Sequence, residues 1–438
     1  MSSKVIIKKV DPNWKELLKH LPADLEDSAK RFGALLRHRA FGSASDLLHA
    51  ILHYATALSL NSSALAMAAL GVCSISRQAL DKRLLASTPW LRHLLSQMLE
   101  ALTSLPQGAL GGFRLILVDA STISRPSSPG TEWRLHLFWR PIQQRLAGLL
   151  LTDAHQGEGL DKLDLQSGDL VIADRGYGLW RHLLVVLQAG AHFLIRVTWS
   201  NLPLRTLDGA AVDIIAWLNS LPAAQDQAER VVVARDDPEG RPLRLIASRL
   251  PLGKAEQARE RVRRQARHDK REPNPNTLLA AGFCVLITNL PASYGVKELL
   301  QAYGIRWQIE WTFRRWKSLC ELDRLPTYPS AIAEPVLLAK LLLILLMYFQ
   351  MAEYPWEEWW TDEQPAPLVS TLVKATYDYI RGVLCPLEAL KRILTDPSRY
   401  MRYLRSSRRK RRLQLEEAAT SLVNLLSGLQ HLIPGGLS

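Results

Sequence analysis

The order of the apolar runs from residue 113 onward constrains this chain more than any other feature. FRLILVDAST (113–122), RLHLFW (134–139), RLAGLLLTDAH (145–155), DLVIADRGY (169–177) and HFLIRVTW (192–199) are short, bounded by turn residues, and read as strands. Short gaps join the first three, which predicts an antiparallel meander. The segment GEGLDKLDL (157–165) then leads to the fourth. LWRHLLVVLQA (179–189) has helical apolar spacing and separates the fourth strand from the fifth.

Three antiparallel strands followed by β-α-β is the order of a ribonuclease H-like sheet. The expected class is therefore α/β: a ribonuclease H-like mixed sheet with a β-rich insertion, flanked by helical N- and C-terminal regions. Residues 25–105 repeat Leu and Ala at three- and four-residue spacing and read as helical. Residues 200–290 read as the insertion. They hold the β-like pieces RVVVARD, PLRLIAS and GFCVLITNL around a basic stretch, Lys254–Arg271. A long helix is expected over 296–321. After 352 the chain turns Trp- and Pro-rich, then helical, with a second basic cluster, RSSRRKRR, at 405–412. The expected divisions are 1–110 (helical), 111–199 and 291–352 (two parts of the core), 200–290 (insertion) and 353–438 (helical, basic).

A length of 438 residues implies two to four domains, and 47% apolar content is globular rather than disordered. The formal net charge of +13 favours a polyanionic partner, nucleic acid or an anionic membrane surface. Four cysteines, at 73, 284, 320 and 385, show no metal-ligand spacing and read as reduced thiols, which points to the cytoplasm. The opening MSSKVIIKKVDPNWKE lacks the continuous apolar core of a secretory signal. The most apolar run, Pro335–Ala352, contains Lys340 and falls just short of a clean membrane span, so a buried core helix is expected.

Asp119 follows the apolar run LILV, and Asp174 follows LVIA. In the expected sheet these strands are neighbours, and both carboxylates emerge on one edge. Two carboxylates that close repel, and a divalent cation removes the conflict. Hard oxygen ligands suit Mg²⁺, or Mn²⁺, and a pair of such ions can serve phosphoryl transfer. Each Asp has a plainer alternative as the cap of a strand-to-loop turn. In YGIRWQIEWTFRRWK, helical spacing puts Tyr303, Arg306, Glu310 and Lys317 within an arc of about 60°. Ile305, Ile309, Phe313, Trp316 and Leu319 fall opposite. A solvated face with an Arg306–Glu310 i,i+4 pair has the same spacing.

The spacing Y-x(2)-R-x(3)-E-x(6)-K, with Trp after the Arg, resembles the signature of the insertion sequence four (IS-four) family of bacterial transposases. LVDAST resembles that family's first-Asp motif and VIADRGYG its second. VLITNLP and the basic stretch upstream of the last helix are also similar. The resemblance covers roughly 110–325, with the three motifs in order. It implies Asp119, Asp174 and Glu310 as a catalytic, metal-binding triad, and Tyr303, Arg306 and Lys317 as phosphate contacts near the cut. It implies water attack to free a 3′-OH, then transesterification into a second strand, with a hairpin on the transposon end as an intermediate. Trp307 either stacks on an unpaired base or packs in the protein.

SALAMAALGVCSISRQALDKRLL (63–85) has the form of a helix-turn-helix, with Gly71 at the turn and Ser74 as cap. Arg77, Gln78, Lys82 and Arg83 are its candidate DNA contacts, with a pair of packed helices as the alternative. Arg261, Arg263, Arg264 and Arg267 are candidate phosphate contacts, as is the cluster 405–412. His155 has no partner at a recognisable spacing and reads as structural. The expected partners are double-stranded DNA, namely terminal inverted repeats and target, and a second copy in the synaptic complex. A nuclease that cuts without joining, and a non-catalytic DNA-binding descendant, are the competing readings.

Overall fold

The computed structural model describes residues 12–104, 112–157, 159–223, 225–327, 330–352, 366–385 and a few positions up to 396. The basic cluster 405–412 lies outside the described residues. Two compact units emerge. One comprises 1–95, 328–343 and 378–438, and the other 96–327 and 344–377.

The first unit is helical. It contains α1 (Pro12–Leu18), α2 (Leu25–Arg31), α3 (Ala44–Ala57), α4 (Leu60–Leu70), α5 (Arg77–Ala86) and the start of α6 (Thr88–Thr103). Serine caps set the helix starts. Ser43, Ser59 and Ser76 accept the N–H of Asp46, Ser62 and Ala79, satisfying donors a helix cannot bond itself. Gly71 closes α4 at φ +75°, a conformation that favours glycine. Ser76 therefore caps α5. Ser74, expected in that role, lies two residues too early, because the chain stays extended through Ser76.

The second unit holds a nine-stranded mixed sheet in the order β3-β2-β1-β4-β5-β9-β8-β7-β6. Strands β1 (Arg114–Ile123), β2 (Trp133–Arg140) and β3 (Arg145–Asp153) form the antiparallel meander. Strand β4 (Asp169–Ala173) lies parallel to β1. Helix α7 (Trp180–Gln188) crosses to β5 (His192–Arg196), parallel to β4. All five residues of β4 are buried: Leu170–Ala173 form the apolar run of a strand covered on both faces, and the buried Asp169 is paired with Arg114 at 2.9 Å.

The interval after β5 does not leave this sheet. It holds β6 (Leu204–Arg205), α8 (Ile214–Ser220), β7 (Gln227–Ala234), β8 (Leu243–Arg249), α9 (Leu252–His268), α10 (Pro275–Ala280) and β9 (Phe283–Thr288). Strand β9 pairs antiparallel with β5, with Ile195 opposite Ile287, and β8 pairs with β9. One apolar layer runs through both parts and includes Val171, Phe193, Leu245 and Ile287.

The long helix expected over 296–321 is two. Helix α11 (Val296–Gly304) gives way to α12 (Trp307–Ser318). At the junction Ile305 and Arg306 bond to the carbonyls of Ala302 and Tyr303, an i→i−3 pattern that tightens the backbone beside the weak helix former Gly304. Helix α12 also stops early, and Glu321 takes φ +51°. The other long helices are α13 (Ala333–Met351) and α14 (Ala366–Leu384). The helical stretch Ser330–Met351 is long and apolar enough to cross a membrane, but its most apolar window is 89% buried within the protein, so it is a core helix.

Candidate active site

Asp119 and Asp174 stand side by side because β1 and β4 are in register up to Val118 and Ala173, the residues just before them. The two chains then part. Beyond Asp174 the backbone turns through Arg175–Tyr177, where Tyr177 is buried and Gly178 passes close to β5. A Cβ on Gly178 would lie 2.8 Å from the carbonyl oxygen of Arg196, so only glycine fits there. Strand β1 instead continues four residues past Asp119, paired with β2 alone. Asp119 thus marks the end of the parallel pairing, and β1 runs on past it.

Glu310 arrives from α12. Asp119, Ser121, Glu310, Arg314, Lys317 and Asp323 line an open cleft of about 630 Å³. Asp174 is not in that lining; its Oδ1 accepts a long hydrogen bond from Tyr303 Oη, 3.4 Å. Burial pushes the Asp119 carboxyl up to about 6. The N–H of Ala120, 2.8 Å from Oδ1, and the Arg306 charge oppose that rise, while the charges of Asp174 and Glu310 add to it. Asp119 thus feels the charge of two acids far from it in the chain.

Arg306 is the surprise among the signature residues. Helical spacing put it on a polar stripe, yet it is only 7% exposed. Its Nη1 lies 2.8 Å from Glu310 Oε1, and its guanidinium stands 5.7 Å from the ring centres of Tyr303 and Trp307. Burial works against its charge, but Tyr303, Asp174 and Glu310 outweigh burial and hold it protonated. Lys317 is half-buried and its Nζ donates to the carbonyl of Thr122 at 3.1 Å, tying α12 to β1.

The back of α12 is locked by polar contacts no sequence period reveals. Trp316 Nε1 donates to Tyr348 Oη at 3.0 Å, and Arg315 Nε donates to Ser370 Oγ at 3.1 Å. On its other side Trp307 and Trp311 are 53% and 43% exposed, so Trp307 does not pack inside as one reading held. Trp311, Arg314 and Arg196 were missed. Trp311 and Arg314 were legible as the i+4 and i+8 neighbours of Trp307 and Arg306. Arg196 is the last residue of β5, level with Asp174, the residue that follows β4.

Other candidates lie elsewhere. Arg77 and Gln78 are exposed in the first turn of α5, and Lys82 is exposed one turn on, but Arg83 turns inward to the carbonyl of Ala34. Arg261, Arg263, Arg264 and Arg267 all sit on α9, and the structure divides them. Arg263 and Arg267 are held by Glu256 and Glu260 at 2.7 Å each, while Arg261 and Arg264 make no ion pair among the described residues. His155 follows a turn closed by the Asp153 carboxylate, which accepts the N–H of His155 and Gln156.

Residues 111–346 match the model of the transposase DDE domain. The chain belongs to the DDE-domain transposases. It is similar to the putative transposase InsL of insertion sequence element IS186A from Escherichia coli K12, 33% identical over 76% of this chain and 93% of that protein. The transposase of IS421 from Escherichia coli is 34% identical over the same shares. The transposase of IS231F from Bacillus thuringiensis subsp. israelensis is 27% identical over 43% of each. A solved piggyBac transposase synaptic complex with hairpin DNA aligns at 10% identity and TM-score 0.41 over 99% of this chain and 88% of that one.

DDE-domain transposases depend on a divalent metal, and the donor chemistry here fits one. Three carboxylates supply hard oxygens, and their mutual repulsion at Asp119 is the kind a cation relieves. Among the described residues no three His, Cys, Asp or Glu groups are already gathered into a coordination shell. The Arg306 guanidinium is the positive charge now beside Glu310.

Proposed function

We propose that this transposase cuts DNA at the ends of its element and joins them to a target, with Asp119, Asp174 and Glu310 as the carboxylates that hold Mg²⁺ or Mn²⁺, two ions in all. The observation that supports this reading is that Asp119 and Glu310 line one cleft while Asp174 neighbours Asp119 across paired strands. Bound there, divalent ions would activate the attacking oxygen and stabilise the leaving one. The protein's own groups do the rest. Lys317 and Arg314, on the cleft wall, present cations to the phosphates flanking the scissile bond. Tyr303 orients Asp174 through its hydroxyl. Trp307 offers an exposed ring on which an unpaired base can stack, and Trp311 extends that surface.

Arg77 and Gln78, exposed at the start of α5, would read base edges of the terminal repeats. Synapsis of two ends would bring two copies together on DNA, in the bacterial cytoplasm at the nucleoid.

The test is a joining assay with the purified chain, Mg²⁺, a target plasmid and duplexes carrying the repeats that flank its own gene. Joined products are expected, and sizing of the end complex should give two chains per pair of ends. Cleavage without joining would make the protein a nuclease, and no cleavage of any end would overturn the reading.

Two substitution sets refine the roles. Lys317→Ala and Trp307→Ala should each slow end cleavage by roughly 10- to 100-fold, the scale of a lost positioning contact, with melting temperature within a few degrees of the parent. A collapse in stability with normal activity in the surviving fraction would make them structural. Arg77→Ala with Gln78→Ala should lower the preference for terminal repeats over scrambled ends by about 10-fold or more, as loss of base contacts does. An equal loss on both DNAs would exclude base reading.

A further inference from the structure

Helix α9 carries two sets of cations, and they lie on different faces. At about 100° per residue, the buried Ala255 and Ala266 and the half-buried Val262 share an inward arc of about 40°. On one flank runs a ladder of ion pairs: Arg259 and Arg263 on Glu256, and Arg263 and Arg267 on Glu260. Each acid already faces arginines of its own helix, so this flank has little free charge to offer. From directly opposite the buried arc round to the other flank lie Arg264, Gln257, Arg261 and Lys254, all exposed. None of the three cations there has an ion pair among the described residues.

The place of this ridge is set by the sheet. Strand β9 runs antiparallel to β5 and β8 runs antiparallel to β9, so β8 points the same way as β1, β4 and β5. The end of β8 at Arg249, from which α9 springs, is therefore on the same sheet edge as Asp119 and Asp174. Four strand spacings separate β1 from β8, about 19 Å, on the order of five to six nucleotides along one DNA strand. The ridge from Lys254 to Arg264 is itself about 15 Å long at 1.5 Å per residue.

We propose that Lys254, Arg261 and Arg264 form the surface on which this chain grips the sugar–phosphate backbone of duplex DNA beside the cut, and that Arg263 and Arg267 take no part in it. The inference rests on the reading that the chain acts on DNA. The partner is double-stranded DNA of any sequence, because long flexible cations on an exposed convex ridge reach phosphates without reading bases.

The experiment measures fluorescence anisotropy of a labelled random-sequence duplex with the full chain, in EDTA, from about 0.05 to 0.2 M salt. Each phosphate contact contributes about 0.9 to the slope of log K against log salt. K254A/R261A/R264A should lower the slope by about 2.7 units, so that affinity falls about 40-fold less than the parent's across that range. R263Q/R267Q should leave the slope unchanged, and R261K/R264K should retain it, since lysine supplies the same charge. Circular dichroism melts should agree for all four proteins, because the altered side chains lie outside the core. An unchanged slope in the triple variant, an equal loss in R263Q/R267Q, or a lysine variant that behaves like alanine would each overturn the ridge. A parent chain with no salt-dependent DNA binding would overturn the DNA-acting reading and the ridge with it.

Discussion

Asp119→Asn is expected to abolish end cleavage, lowering its rate by at least about 1000-fold, the upper range for loss of a preorganised electrostatic group, while end binding stays near the parent's. The fold should survive. Asn keeps the shape of Asp and can still accept the N–H of Ala120, and it removes a buried negative charge that stands near Asp174 and Glu310. In metal-free buffer its melting temperature should therefore equal or exceed the parent's. Gel analysis of cleaved ends, alongside a thermal melt, checks both halves. Cleavage above a few per cent of the parent's rate would remove Asp119 from the chemistry. A variant that melts early would show that the carboxylate is needed for the fold instead.

Arg306→Ala should have the largest effect on stability. The guanidinium is the charge that keeps Glu310 and its acidic neighbours compatible with burial. Removing one partner of a buried pair leaves the other uncompensated, and here the cost should be roughly 2–3 kcal/mol, since Glu310 keeps some contact with water. That corresponds to a fall of about 4–10 °C in melting temperature. Mg²⁺ should return more of that loss in the variant than it adds to the parent, because a cation can supply the missing charge. Arg306→Lys should fall between the two. A variant that melts with the parent and gains no more from Mg²⁺ would show that Arg306 carries no such role.

Much of this was legible because it depends on local patterns. Asp119 and Asp174 follow apolar runs whose order fixes the strands as neighbours, and the structure bears out the meander and the β-α-β crossover. The same logic could not reveal the break at Ile305 and Arg306, because an i→i−3 turn preserves nearly the same periodicity over so few residues. Nor could it tell a solvated arginine from a buried one. Arg306 has polar spacing, but it is only 7% exposed and is paired with Glu310 instead of water. On α9 the decisive pairs, Arg263–Glu256 and Arg267–Glu260, span seven residues, two helical turns, and a composition count registers only a basic run. The pairing of β5 with β9 was hidden for a different reason. It joins positions about ninety residues apart, and nothing in either strand specifies its partner.

That pairing has a mechanical consequence. A domain inserted through flexible linkers can swing while its host stays still. Here the insertion is joined to its host by backbone hydrogen bonds in the middle of a continuous sheet, among the stiffest couplings a protein has. A pull on α9 passes through β8, β9 and β5 to the two strands that carry Asp119 and Asp174. If the insertion holds DNA as proposed, tension on that strand would be felt at the proposed catalytic carboxylates, and grip and blade would move as one body.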